Sequence, residues 1–219
     1  MRYANKYMTR FSALLLIFIS SVVRATPLPM RSNDFCEVDS SGRILSVDKI
    51  QKGDGKKVQV TLGGCVERPI RETWAVTLNH SLLKPDSVDA TVVSEKPGLE
   101  DSQVGIYFVF DIKSVVHVLG GLMNPEWTTR WSHVIRRGNW AAPEEIVIPF
   151  EKINGTSHIA LIKGTITLEQ VTDRVTSFIV SEEVQADRYH LENLDEDSRR
   201  LLSKLRNGSP NWKALSQKD

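Results

Sequence analysis

Three apolar runs, Glu145-Ile-Val-Ile-Pro-Phe150, His158-Ile-Ala-Leu-Ile-Lys-Gly-Thr-Ile-Thr-Leu168 and Arg174-Val-Thr-Ser-Phe-Ile-Val-Ser181, decide the fold class of this chain. β-branched and aromatic side chains dominate them, and such residues pack well on a pleated surface. Lys152-Ile-Asn-Gly-Thr156 separates the first two runs, and Asn-Gly tolerates the positive φ of a tight turn. The region from Glu145 to Glu182 therefore reads as an antiparallel meander.

Working outward, Arg43–Ile50 and Lys57–Leu62 read as strands around a glycine-rich loop, with Val58, Val60 and Leu62 alternating against Lys57, Gln59 and Thr61. Gly53-Asp-Gly-Lys-Lys57 lacks the spacing and the following helix of a phosphate-binding loop, so it reads as a turn. Trp74–Leu78 and Asp89–Ser94 are two shorter strand candidates. Val104–Ile112 is the most apolar run outside the N-terminus and predicts a central strand buried on both faces, with Lys113–Leu119 extending it or returning beside it. Lys96–Ser102 reads as an exposed connection.

The same rules predict one helix between these strands. Asn124 suits the cap, Pro125 the first helical position and Glu126 the dipole, while Gly138 suits the end. Trp127, Trp131, Val134 and Ile135 then fall on one stripe. A second amphipathic stretch, Leu194–Arg206, stops at Gly208-Ser-Pro210 and predicts a C-terminal helix that docks weakly or serves as a tail. The expected fold is mainly β: an antiparallel β-sandwich or a β-rich α+β domain of about eight strands, with one crossing helix and a C-terminal helical tail. The expected organisation is a signal peptide over 1–25, a β-rich domain over 26–182 and a charged helical tail over 183–219.

The N-terminus locates the protein. Arg2, Lys6 and Arg10 precede an apolar run from Phe11 to Val23, and Val23-Arg24-Ala25 offers small residues for a peptidase. That order is the pattern of a secretory signal peptide, and the run is short for a membrane span. Cleavage after Ala25 leaves 194 residues with 24 basic against 27 acidic side chains. A mildly acidic chain without clustered Lys and Arg disfavours nucleic acid as a partner. Export to the periplasm or the extracellular space lets Cys36 and Cys65, the two cysteines of the chain, pair as a disulfide.

No catalytic signature stands out. Gly-x-Ser-x-Gly is absent, and His80, His117, His133, His158 and His190 are scattered without metal-ligand spacing. No cofactor is indicated. Asp86 with Asp89, and Glu144 with Glu145, read as solvated loop acids. Asn79-His-Ser81, Asn154-Gly-Thr156 and Asn207-Gly-Ser209 match the glycosylation pattern, which matters in a eukaryotic secretory pathway.

The most site-like feature is an aromatic-basic cluster: Trp127, Arg130, Trp131, Arg136, Arg137 and Trp140. Trp and Arg are favoured at binding hot spots. The helical stripe competes with that reading by assigning Trp127 and Trp131 to the core, which leaves Trp140 as the member expected to be exposed. The expected function is that of an exported, non-catalytic binding protein whose partner is a protein or an envelope or surface component. Two alternatives stand beside it. One is a carrier for a lipid or other small apolar ligand. The other is a secreted hydrolase built from His117, His133 and an acid of the Glu100-Asp101 loop.

Overall fold

A computed structural model of the chain describes residues 36–38, 44–46, 49–52, 57–79, 88–97, 105–117, 124–186 and 194–216. The expected signal peptide, the lead-in after it and the Glu100-Asp101 loop lie outside the described residues. The strands are β1 (Cys36–Val38), β2 (Ile44–Ser46), β3 (Lys49–Lys52), β4 (Lys57–Val66), β5 (Val88–Pro97), β6 (Ile106–Val116), β7 (Glu126–Gly138), β8 (Pro143–Gly155), β9 (Ile159–Thr172) and β10 (Val175–Ala186). Among the described residues the helices are α1 (Ile70–Thr77), α2 (Leu194–Asn207) and α3 (Trp212–Ser216).

Among the described residues, eight strands form one antiparallel sheet in the order β3-β4-β10-β9-β8-β7-β6-β5, and β1 and β2 form a separate ribbon. The meander is present as β8, β9 and β10. Its first turn falls at Thr156–His158, just beyond the Asn154-Gly155 pair. Gly155 has a φ of 125°, and a Cβ there would collide with the backbone of Trp127 across the ladder.

The sheet is a single layer with helices on one face, so the β-rich α+β alternative describes this molecule and the sandwich does not. α1 packs against β8, β9 and β10, and α2 packs on β4 and α1. Leu62, Phe110, Ile146, Ile148, Ile166, Leu168, Phe178 and Val180 point toward this helical layer and share one buried cluster with Trp74 of α1. We call this the inner face of the sheet.

Two local expectations exchange places. Trp127 to Ile135 does not form the crossing helix; Glu126–Gly138 is a strand. Three of the four stripe residues, Trp127, Trp131 and Ile135, also match alternation, with Thr129, His133 and Ile135 buried on that side and Arg130 exposed between Thr129 and His133. Trp, Thr, Val and Ile all favour a strand, and pairing on both sides, with β6 and with β8, completes its ladder. Gly138, expected to end a helix, adopts a φ of 81° at the β7–β8 hairpin. Asn139 Oδ1 accepts from the backbone N–H groups of Ala141 and Ala142 to close that turn.

The crossing helix lies instead at Ile70–Thr77, where Trp74–Leu78 reads as a strand by composition. Pro69 precedes its first turn, Glu72 complements the dipole, and Ile70, Trp74 and Thr77 are buried at helical spacing. β6 also departs from expectation. Phe108, Phe110 and Ile112 are buried while Val109 and Asp111 between them are only half-buried, so this strand is covered mainly on one face.

The C-terminal helix forms where the sequence places it, but it is not peripheral. Leu202 and Leu205 of α2 and Leu215 of α3 are 5%, 0% and 1% exposed and belong to the principal core. Each buried leucine stabilises the fold by about 1.5–3 kcal/mol. Polar contacts fix the same segment: Arg206 Nε donates to the Cys65 carbonyl at 3.2 Å, and the Asn211 backbone N–H donates to the Ala75 carbonyl at 2.9 Å. The expected disulfide joins Cys36 of β1 to Cys65 of β4, with a Cα–Cα distance of 5.3 Å, and packs against Val175.

Candidate functional site

The inner face carries an unusual density of aromatic rings. Trp74 projects from α1 into a group made by Phe108, Phe110, His133 and Trp140, with Trp74–Trp140 centroids 5.1 Å apart and Phe110–His133 centroids 5.7 Å apart. At its centre, Trp74 Nε1 donates a hydrogen bond to His133 Nδ1 at 3.0 Å. Both residues are 0% exposed. A lone pair at Nδ1 fixes His133 as the neutral tautomer protonated at Nε2. The Arg71 guanidinium lies 6.0 Å from the centroid of Trp140.

Further along the inner face, β6, β7, β8, β9 and β10 align Phe110, Trp131, Phe150, Gly164 and Glu182 as successive register partners. Trp131 stacks on Phe150 with centroids 4.5 Å apart and planes 20° from parallel. Phe150 in turn lies over Gly164: a Cβ on that glycine would come within 2.6 Å of Phe150 Cζ. An aromatic ring covering a bare strand glycine keeps the row continuous. Trp127 and Trp131 are only half-buried, so aromatic surface remains accessible along this part of the face.

The outer face is built differently. Asp111, Arg130, Glu151, Lys163 and Glu183 are register partners across β6, β7, β8, β9 and β10, so acid and base alternate from strand to strand. Arg130 grips Asp111 through Nε at 2.8 Å and a terminal nitrogen at 2.9 Å. The hydrogen bond to Asp111 raises the Arg130 pKa above its ordinary value. Glu183 takes Lys57 at 2.9 Å and Lys163 at 3.6 Å, and the Lys57 hydrogen bond holds its carboxyl below the usual range. Arg137 donates to Glu145 at 2.9 Å and Glu169 at 2.6 Å.

The sheet therefore divides the aromatic-basic cluster of the sequence. Trp127 and Trp131 lie on the inner face, Arg130 and Arg137 on the outer one, and Arg136 is exposed beside the irregularity between Ile135 and Arg137. Trp140, expected to be exposed, is half-buried against Trp74 and Phe108. Composition alone could not assign Trp74, Phe108, Phe110 and Phe150 to this group, because they come from separate elements of the chain. Phe108–Phe110 alternation was the available signal for two of them.

The dispersed hydrolase does not assemble among the described residues. His133 is sealed opposite Phe108, while His117 lies beyond the end of β6. Nine residues of extended chain separate the two levels, about 30 Å. His117 is exposed and contacts Asn124 Oδ1 at 3.0 Å through Nδ1 and Asp89 Oδ2 at 2.9 Å through Nε2. Lys152 is committed to structure as well. Its Nζ donates to the carbonyls of Thr156 and Ile159 in the β8–β9 turn, and burial lowers its pKa.

No protein-family model matches the chain, and no curated protein matches it in sequence. Solved structures do resemble it. The lipid transfer and protein localization domain of human StarD13 superposes with a TM-score of 0.50 at 8% identity, covering 74% of this chain and 89% of that domain. The Zhui aromatase/cyclase of Streptomyces gives a TM-score of 0.48 at 14% identity, over 68% of this chain and 91% of that one. A protein of Thermus thermophilus gives 0.46 at 12% identity, over 74% and 99%. The likeness to the StarD13 domain is one of fold: a long antiparallel sheet holding helices on its inner face.

Proposed function

We propose that this chain is an exported, non-catalytic binding protein whose ligand is a small apolar molecule held against the inner face of the sheet. The observation that carries the reading is the row Trp131–Phe150–Gly164, in which a half-buried tryptophan stacks on a phenylalanine over a bare glycine. Ligand sites are concave, mostly apolar and lined by a few aromatic anchors. The fold supports the same reading, since the StarD13 domain it resembles is named for lipid transfer. Among binding functions, these features favour the carrier over a protein or surface partner. Export rests on the N-terminal sequence pattern and accords with the Cys36–Cys65 disulfide.

Fluorescence of N-phenyl-1-naphthylamine, a neutral apolar probe, tests the site. The expected result is saturable enhancement by the native protein and at least tenfold weaker binding by Trp131→Ala. Absence of saturable binding, or equal binding by the two proteins, would remove the basis for an inner-face site.

A further inference from the structure

The outer face holds a depression of about 530 Å³ that no feature of an apolar carrier requires. It runs across the strands from Gln59 of β4 to Arg130 and Ser132 of β7, a span of four strand spacings or about 19 Å. Its origin is local. Ser132, Thr165 and Ser181 are short side chains beside the taller row of Arg130, Glu151, Lys163 and Glu183, so the surface dips between them. The volume falls within the range of about 300–1,000 Å³ common for small-molecule sites.

The ion pairs of this row leave particular groups uncommitted. Arg130 is turned toward Asp111, and Lys163 leans toward Glu183. Glu151 stands in register between Arg130 and Lys163 and its charge acts on Arg130, yet among the described residues it makes no ion-pair contact within 4.0 Å. Among the described residues, the hydroxyls of Ser132, Thr165 and Ser181 make no hydrogen bond either. The depression thus presents one open carboxylate, three open hydroxyls and a loosely held ammonium.

The lining excludes most ligand classes. Pro149, Phe150 and Gly164 give the floor apolar surface, but a wholly apolar molecule would also strip water from the charged groups beside it without replacing their hydrogen bonds. A polyanion would meet Glu151 and Glu183, and a polycation would meet Arg130 and Lys163. A neutral polyol meets no such opposition, because each hydroxyl donates to a carboxylate and accepts from an ammonium or guanidinium. The elongated shape selects a chain of such units. We propose that this outer-face groove binds a neutral, hydroxyl-rich ligand, an oligosaccharide lying across the strands from β7 toward β4.

The test is ¹H–¹⁵N NMR titration of the full mature chain with maltotetraose, cellotetraose and tetra-N-acetylchitotetraose. At least one is expected to shift outer-face resonances of β7 to β10 in a saturable way. Thr165→Arg, which fills the groove, is expected to weaken that binding at least tenfold, and Glu151→Gln to weaken it severalfold. Ser181→Gln serves the same purpose should Thr165→Arg fold poorly. N-phenyl-1-naphthylamine binding is expected to be unchanged in these variants, which separates this site from the inner-face one. Shifts with none of the three saccharides, or shifts confined to the inner face, would overturn the proposal.

Discussion

Trp74 and His133 join the helical layer to the sheet through a buried hydrogen bond, Nε1–H to Nδ1 at 3.0 Å, between α1 and β7. Each residue arrives there by a different route. Trp74 lies on the apolar side of an eight-residue helix, and His133 lies between Trp131 and Ile135 on the inward positions of a strand. Neither polar atom reaches bulk water, so each needs the other.

Replacing the acceptor tests this. His133→Phe keeps an aromatic ring in the cluster but leaves the indole N–H unpaired, which is expected to cost about 1–3 kcal/mol. Trp74→Ala removes the ring as well and is expected to cost about 3–5 kcal/mol. Urea unfolding of both variants measures the difference. A His133→Phe protein as stable as the native one would mean that the bond contributes nothing.

Gly164 gives a second, steric prediction. A methyl group there would press on the Ser181 carbonyl and on Phe150 Cζ, so Gly164→Ala is expected to destabilise by about 1–3 kcal/mol. Phe150 must move to admit it, and the Trp131–Phe150 stack moves with it. The near-ultraviolet circular dichroism of Trp131 reports that shift. An unchanged spectrum with unchanged stability would show that the ring is not seated on the glycine.

Much of this architecture was legible in the order of residues, and the failures share one cause. Val58, Val60 and Leu62 alternate without ambiguity, the three runs of the meander are too rich in β-branched residues to be helices, and Leu202 and Leu205 follow an acidic helix start. Trp127, Trp131 and Ile135 satisfy both periods, and Val134 only the helical one. What decides between them is whether a neighbour supplies hydrogen bonds along both edges, and that depends on β6 and β8. Trp74–Leu78 reads as a strand for the same want of context: a window starting at the tryptophan omits Pro69, Ile70 and Glu72, the residues that start the helix. The candidate site was legible only in part. Sequence proximity gathered Arg130 with Trp131, yet adjacent residues of a strand face opposite sides.

The C-terminal helix supplies a third prediction. Leu205 is 0% exposed in the core that α2 shares with the sheet. Leu205→Ala is therefore expected to cost about 2–5 kcal/mol, in one cooperative transition with the rest of the domain. A loss confined to helical signal, with the sheet unfolding at its original midpoint, would identify α2 as an independent tail.

Titration supplies a fourth. His117 faces an oxygen acceptor at each ring nitrogen, Asn124 Oδ1 and Asp89 Oδ2, an arrangement that favours the imidazolium. The Asn124 hydrogen bond first, and the Asp89 hydrogen bond second, raise its pKa above 6.5. A raised folded-state value stabilises the fold below pH 6.5 and loses that contribution as pH climbs through the folded pKa. Glu183 has the opposite sign: lowered from 4.5, chiefly by Lys57, it stabilises above that pH and ceases to do so as pH falls through its folded value. His117 sits at the surface and Glu183 is half-buried, and both pKa values are best read by NMR. A His117 pKa at or below 6.5, or one unmoved by Asn124→Ala and Asp89→Asn, would contradict this assignment.

The central claim, an exported protein that holds an apolar ligand on its inner face, is tested most directly by native mass spectrometry of the protein isolated from its source. The expected spectrum begins at Thr26, gains about two mass units on reduction of the Cys36–Cys65 bridge, and carries a noncovalent adduct that organic extraction removes. An adduct-free chain, unchanged by extraction, in a protein whose fold and disulfide are intact would contradict it.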